Sequence, residues 1–128
     1  MMVVASMVLA GKRVLIVEDE LLVALLLEDF LLELGCTILG PFGSVAKAMD
    51  AARTEAFDLA VLDVNLAGEK VYPVAELLTE RRIPFLFLSG YGDEAIPADR
   101  REWTVCAKPF KGADLAAMLS AALQAPAY

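Results

Sequence analysis

Three short runs, Val14-Leu15-Ile16-Val17, Leu59-Ala60-Val61-Leu62 and Phe85-Leu86-Phe87-Leu88, are apolar at every position. A strand with one wet face alternates polar and apolar residues; a strand without alternation is covered on both faces, which calls for helices above and below a parallel sheet. Two less uniform runs, 37–40 and 103–106, read as shorter strands nearer the edges. The amphipathic stretches between them predict helices at 20–34, 44–54, 72–81 and 111–124, with Gly35 closing the first, Ser44 capping the second and Pro73 early in the third. The crossover at 90–102 holds Gly90, Gly92 and Pro97 and reads as short or irregular, the candidate mobile part. Right-handed crossovers then give an α/β fold, a (βα)5 doubly wound five-stranded parallel sheet, whose functional groups gather at the carboxyl ends of the strands.

The 128 residues suit one domain, at 12–124, with an apolar N-terminal extension at 1–11, read as a frayed start, and a short tail at 125–128. A net charge of -7 argues against binding the phosphate backbone of nucleic acid. The absence of His removes the commonest general base and metal ligand. Cys36 and Cys106 lie seventy positions apart, without zinc or redox spacing. The apolar start is too short for a membrane span, and the expectation is a reduced, cytoplasmic chain with no membrane or nucleic-acid partner.

The strand ends carry the chemistry. The first runs into Glu18-Asp19-Glu20, the third ends at Asp63, the fourth at Ser89, and the fifth is followed by Lys108-Pro109. Acids crowded at one sheet edge repel unless a divalent cation or an ammonium balances them. Carboxylate oxygens with few other ligands suit Mg2+. Asp63, held at the end of a buried strand, is placed to attack phosphorus, with Mg2+ and Lys108 neutralising phosphoryl oxygens and Ser89 donating a hydrogen bond.

These residues resemble the receiver domain of bacterial two-component response regulators, a CheY-like, flavodoxin-like fold, over about Lys12 to Leu123. The family pattern has an acidic doublet after the first strand, an acceptor Asp after the third, Ser or Thr after the fourth and Lys-Pro before the last helix; Glu18-Asp19, Asp63, Ser89 and Lys108-Pro109 meet all four. The resemblance implies phosphorylation of Asp63. It also implies Mg2+ held by Asp19, Asp63 and the backbone carbonyl of Asn65 with Glu18 acting largely through water, and Ser89 and Lys108 sensing the phosphoryl group. Residues 84–92 are similar to the run that marks the FAT GUY subgroup of single-domain regulators, with Leu88-Ser89 where that pattern has Ala-Thr; stress signalling is a common setting there. Receivers usually place Phe or Tyr three residues before the Lys, where Val105 stands here, and Tyr91 is the expected substitute switch aromatic.

The expected partners are a sensor histidine kinase or histidine phosphotransfer protein as donor and an unidentified downstream protein, with the chain a monomer or weak homodimer. It is read as a switch with self-catalysed phosphorylation and slow autodephosphorylation rather than a metabolic enzyme. At about 100° per residue, Val23, Leu27, Phe30, Leu31 and Leu34 form the core stripe of the first helix. Leu21, Leu22, Leu25 and Leu32 lie among Glu28, Asp29 and Glu33 on the other side. In receivers this helix docks the donor, so Leu22, Leu25, Asp29 and Leu32 are the expected docking patch; the plainer reading is surface leucine beside a generous core. Two other functions compete. A phosphatase of haloacid dehalogenase type needs Asp-x-Asp, but Asp63-Val64-Asn65 puts Asn where the acid belongs. A phosphorylation-independent pseudo-receiver scaffold is opposed by the intact Asp19, Asp63, Ser89 and Lys108.

Overall fold

The computed structural model describes residues 7–90 and 96–125. In chain order the elements are β1 (Arg13–Val17), α1 (Leu21–Glu33), β2 (Thr37–Phe42), α2 (Val45–Thr54), β3 (Leu59–Asp63), β4 (Asn65–Leu66), β5 (Glu69–Lys70), α3 (Tyr72–Glu80), β6 (Phe85–Ser89), β7 (Val105–Ala107) and α4 (Gly112–Gln124). Five strands form one parallel sheet in the order β2-β1-β3-β6-β7. The chain builds outward from β1 to one edge, then returns through β3 to the other, so the order reverses beside β1 and leaves a crevice at the carboxyl ends of β1 and β3.

The three unalternated runs are the three inner strands, and their side chains divide between two layers. Leu15, Val17, Ala60, Leu62 and Phe87 pack under α2 and α3, while Val14, Ile16, Leu59, Val61, Leu86 and Leu88 pack under α1 and α4. The helix ends follow local chemistry: Ser44 Oγ accepts from the Lys47 N–H at 3.2 Å, and Gly35 leaves α1 at φ +87°, a conformation that glycine adopts without strain.

Four features depart from the sequence reading. The second strand runs on to Phe42, its register against β1 shifting between Leu15 and Val17, where Gly40 stands at φ +106°. A Cβ on Gly40 would sit 2.7 Å from the Ile16 carbonyl oxygen, so the close approach requires glycine. The last strand begins at Val105 rather than Trp103; Trp103 is instead buried among Tyr72, Phe85 and Phe87, with ring centroids 5.5–6.4 Å away. Arg100 stacks over Trp103 and forks onto Glu76 of α3, tying the segment before β7 to that helix. A small antiparallel hairpin, β4–β5, was not expected, because two residues per strand are too few to show a period.

The fourth departure concerns the apolar extension. Residues 7–9 are helical, and Leu9 is fully buried against the layer that holds Leu27, Leu31 and Leu34, with Cys36 Sγ 3.5 Å from its carbonyl oxygen. At Leu9, therefore, the extension joins the core rather than being frayed. Leu9→Ala is expected to lower unfolding free energy by about 2–4 kcal/mol in urea denaturation, the cost of emptying a buried leucine site; a loss under about 0.5 kcal/mol would mean that the extension does not pack in solution.

Candidate functional site

Lys108 collects the carboxylates. It follows β7, and its backbone N–H donates to the Ser89 carbonyl at 3.0 Å, which continues the β6–β7 ladder beyond the strand and fixes where the side chain starts. Its Nζ lies 3.0 Å from Glu18 Oε1, 3.2 Å from Asp63 Oδ1 and 3.4 Å from Glu20 Oε1. Glu18 is placed by β1, whose end is tied to β2 through Glu18 N–H to the Phe42 carbonyl at 3.0 Å. Asp63 is the last residue of β3, a strand buried along its whole length. Both carboxylates are almost wholly buried, whereas Glu20, at the head of α1, is exposed. The Lys108-Pro109 peptide is cis.

Burial and the neighbouring Asp63 carboxylate push the Glu18 carboxyl up to about 7, against a partial offset from Lys108. For Lys108, burial acts to lower the ammonium's pKa, and the Glu18 and Asp63 carboxylates outweigh it, so the pKa is raised. The ammonium therefore stays charged, and among the described residues this one cation faces three acids.

That surplus of negative charge is what a cation site needs. One oxygen each from Glu18, Glu20 and Asp63 lie within 4.8 Å of one another. Glu18 Oε1 is buried, with the Lys108 ammonium as its neighbour at 3.0 Å. Hard oxygen donors, two of them from nearly buried carboxylates, and excess negative charge fit a hard divalent cation such as Mg2+.

The expected residues are thus partly brought together. Glu18, Asp63 and Lys108 meet, and Ser89 is buried at the adjacent end of β6. Asp19 stands outside that cluster, and its Oδ2 accepts from the Ala67 N–H at 2.8 Å. Glu20, which the sequence did not single out as a ligand, is the third carboxylate of the cluster. The Asn65 side chain points to Lys70, whose Nζ donates to Oδ1 at 2.6 Å. Tyr91 lies outside the described residues. Val105 pairs with Phe87, and the ring packed against Phe87 from α3 is Tyr72, at 6.0 Å and edge-on. A separate groove of about 590 Å3, lined by Ile83, Phe85, Trp103 and Met118, opens at the opposite, amino-terminal edge of β6, away from the carboxylates.

Residues 14–120 match the profile of the response regulator receiver domain. The chain belongs to that family. Receiver domains are the signalling switches of two-component systems rather than metabolic enzymes. This receiver is 31% identical over 117 residues to the phyllosphere-induced regulator PhyR of Methylorubrum extorquens, covering 88% of this chain and 44% of PhyR. It is 30% identical over 108 residues to the transcriptional regulatory protein PdtaR of Mycobacterium tuberculosis, covering 81% of this chain and 53% of PdtaR. The chain thus spans about half the length of the curated relatives that it matches. The solution structure of SdrG from Sphingomonas melonis Fr1 has a TM-score of 0.79 at 44% identity, covering 90% of this chain and 98% of that one. SdrG in its BeF3-activated conformation, described from Pseudomonas melonis Fr1, scores 0.74 at 43% identity over 89% and 98% of the two chains. The receiver domain of the sensor histidine kinase PA1611 from Pseudomonas aeruginosa PAO1, whose active-site cleft holds a coordinated magnesium ion, scores 0.74 at 25% identity over 91% and 100%. Among the described residues, no helix of this receiver is long and apolar enough to cross a membrane.

The raised Glu18 group has a measurable consequence in metal-free protein. Between pH 4.5, its ordinary value, and about 7, the folded chain retains a proton that the unfolded chain has released, so this group's contribution to stability declines as pH rises through that window. Facing it are Asp63 from β3, Lys108 after β7 and Glu20 from α1. Urea denaturation in chelator from pH 5 to 7.5 should show that decline in the parent and a flatter profile in Glu18→Gln; identical slopes would show that Glu18 is not the group responsible.

Proposed function

We propose that this receiver, residues 12–124, takes a phosphoryl group onto Asp63 from a phosphohistidine carried by a sensor histidine kinase or histidine phosphotransfer protein, and signals by altering a surface for a downstream protein in the cytoplasm. The observation that carries this reading is the nearly buried Asp63 carboxylate at a strand end, with the Lys108 ammonium 3.2 Å from Oδ1 inside an acidic cluster. These 128 residues contain no histidine, so the donor imidazole comes from outside them.

In the transfer, an Asp63 oxygen attacks phosphorus while the phosphorus–nitrogen bond of the donor breaks, the electron pair staying on the imidazole; the new bond is an acyl phosphate. Lys108 stabilises the charge on the phosphoryl oxygens and Ser89 donates a hydrogen bond to one of them. Glu18, Glu20 and Asp63, joined by Asp19 and the Asn65 carbonyl, would hold a Mg2+ ion, which when bound supplies positive charge against those same oxygens. Burial of Asp63 limits the approach of water, in keeping with slow self-hydrolysis. The magnesium in the PA1611 receiver and the BeF3-activated SdrG support both parts of the reading.

The donor-docking surface is the outer face of α1. Leu22 is 75% exposed, Leu25 46% and Leu32 51%, and Leu21 and Leu26 extend the same apolar face, with Asp29 among them. Positions 22, 25, 29 and 32, three leucines and Asp29, follow at spacings of three, four and three residues and form a seam to which a donor helix can pack. Five exposed leucines on one 13-residue helix exceed what the core uses, since Ala24, Leu27 and Leu31 already fill its buried side.

Treatment with acetyl phosphate and Mg2+ should add one phosphoryl mass to the intact protein, and Asp63→Asn should abolish the gain; a parent protein without any gain would overturn the proposal. With a phosphohistidine donor, Leu25→Glu and Leu32→Glu should slow transfer roughly tenfold or more while acetyl phosphate uptake stays at the parent rate. Undiminished transfer in folded variants would remove α1 as the docking face.

A further inference from the structure

Asp19 stands between two cluster carboxylates in the chain yet is not with them, and what it does instead points to a link between the cation site and the β4–β5 hairpin. The hairpin is weak by construction. Its ladder has two residue pairs, Asn65–Lys70 and Leu66–Glu69, and a two-stranded hairpin of that length is marginal alone. The two-residue turn needs left-handed backbone at both positions, met by Gly68 (φ +88°) and by Ala67 (φ +50°), where an L side chain is strained. At its base the hairpin is fastened by buried Leu66 and by Val71 N–H to the Val64 carbonyl at 2.9 Å. Its tip is fastened by Asp19, whose Oδ2 accepts the Ala67 N–H at 2.8 Å.

We propose that Asp19 is a shared carboxylate: it pins the hairpin tip in the metal-free receiver and lets it go when it joins Glu18, Glu20 and Asp63 around a divalent cation. This rests on the cation-site reading above. Pinned to Ala67 through Oδ2, Asp19 is not among the carboxylates whose oxygens lie within 4.8 Å of one another, so closer approach to them favours a change of its side chain. The residue is exposed, which leaves room for a change of rotamer. A dication attracts a carboxylate more strongly than one neutral N–H does, so occupancy of the site favours the move. Once released, strained Ala67 loses the bond that holds its conformation, and the exposed 67–70 edge changes with the occupancy of the site. The hairpin thereby becomes a surface that reports the site.

Amide hydrogen exchange followed by 15N NMR, with and without saturating MgCl2, tests this directly. In the parent, Mg2+ should speed exchange at Ala67 about tenfold or more, the loss of one charge-assisted hydrogen bond, while amides beside Asp63 shift saturably. Asp19→Asn keeps an oxygen for Ala67 but is a poorer ligand, so Ala67 should stay protected and respond little to Mg2+. Asp19→Ala should leave Ala67 fast in both conditions. Saturable shifts near Asp63 with unchanged Ala67 exchange would overturn the coupling alone, since the second Asp19 oxygen would then serve the cation without release. No saturable Mg2+ response anywhere would overturn the cation-site reading and the coupling with it.

Discussion

Three carboxylates and one ammonium at the carboxyl edge of the sheet set the terms for the rest of this molecule. Glu18, Asp63 and Glu20 repel one another, and two of them are nearly out of water, so their proximity depends on Lys108, which reaches all three at 3.0–3.4 Å, and on the raised Glu18 carboxyl. Lys108 comes from the far end of the chain. It can reach the acids only once β1, β3, β6 and β7 are in register, and the Lys108 N–H to Ser89 carbonyl bond fixes its starting point. One ammonium still leaves net negative charge, and that deficit makes the edge receptive to a cation. Site and sheet therefore support each other: the parallel register brings the charges together, and their balance removes a repulsion that would open the crevice.

The two faces of the sheet serve different ends. The α2–α3 side is a closed layer in which Trp103 sits among Tyr72, Phe85 and Phe87, and Arg100 binds the preceding segment to Glu76. With Val105 on β7, the aromatic bulk of this layer comes from α3, β6 and position 103 rather than from β7. On the other side, α1 closes the core with Ala24, Leu27 and Leu31 and leaves a leucine face outward. Its acidic neighbours Glu28, Asp29 and Glu33 make that face less suited to a second copy of itself than to a partner with basic flanks.

Most of the architecture was legible because its signals are local. Unalternated apolar runs mark strands covered on both faces, the wheel of α1 separated buried from exposed leucines, and Gly35 and Ser44 marked helix ends by backbone chemistry that does not depend on the rest of the fold. Asp63 and Lys108 were legible because they follow directly from strand ends. Three features were not. The burial of Leu9 depends on a layer formed by residues up to 119, and the position of Trp103 depends on α3 and β6. The β4–β5 hairpin is too short to carry a period.

What the amino-acid sequence determined by itself is the list of elements, the parallel sheet and the charge types at its carboxyl edge, since each follows from the side chain's own period, polarity or position after a strand. What only the tertiary structure decided is which acids meet. Glu18, Asp19 and Glu20 are consecutive and chemically alike, so no pattern ranks them. The path from β1 into α1 places Glu18 inward and Glu20 at the rim, and the Ala67 N–H, forty-eight residues away, draws Asp19 to the hairpin. Direction in space, which sequence spacing does not encode at a strand–helix junction, makes that choice.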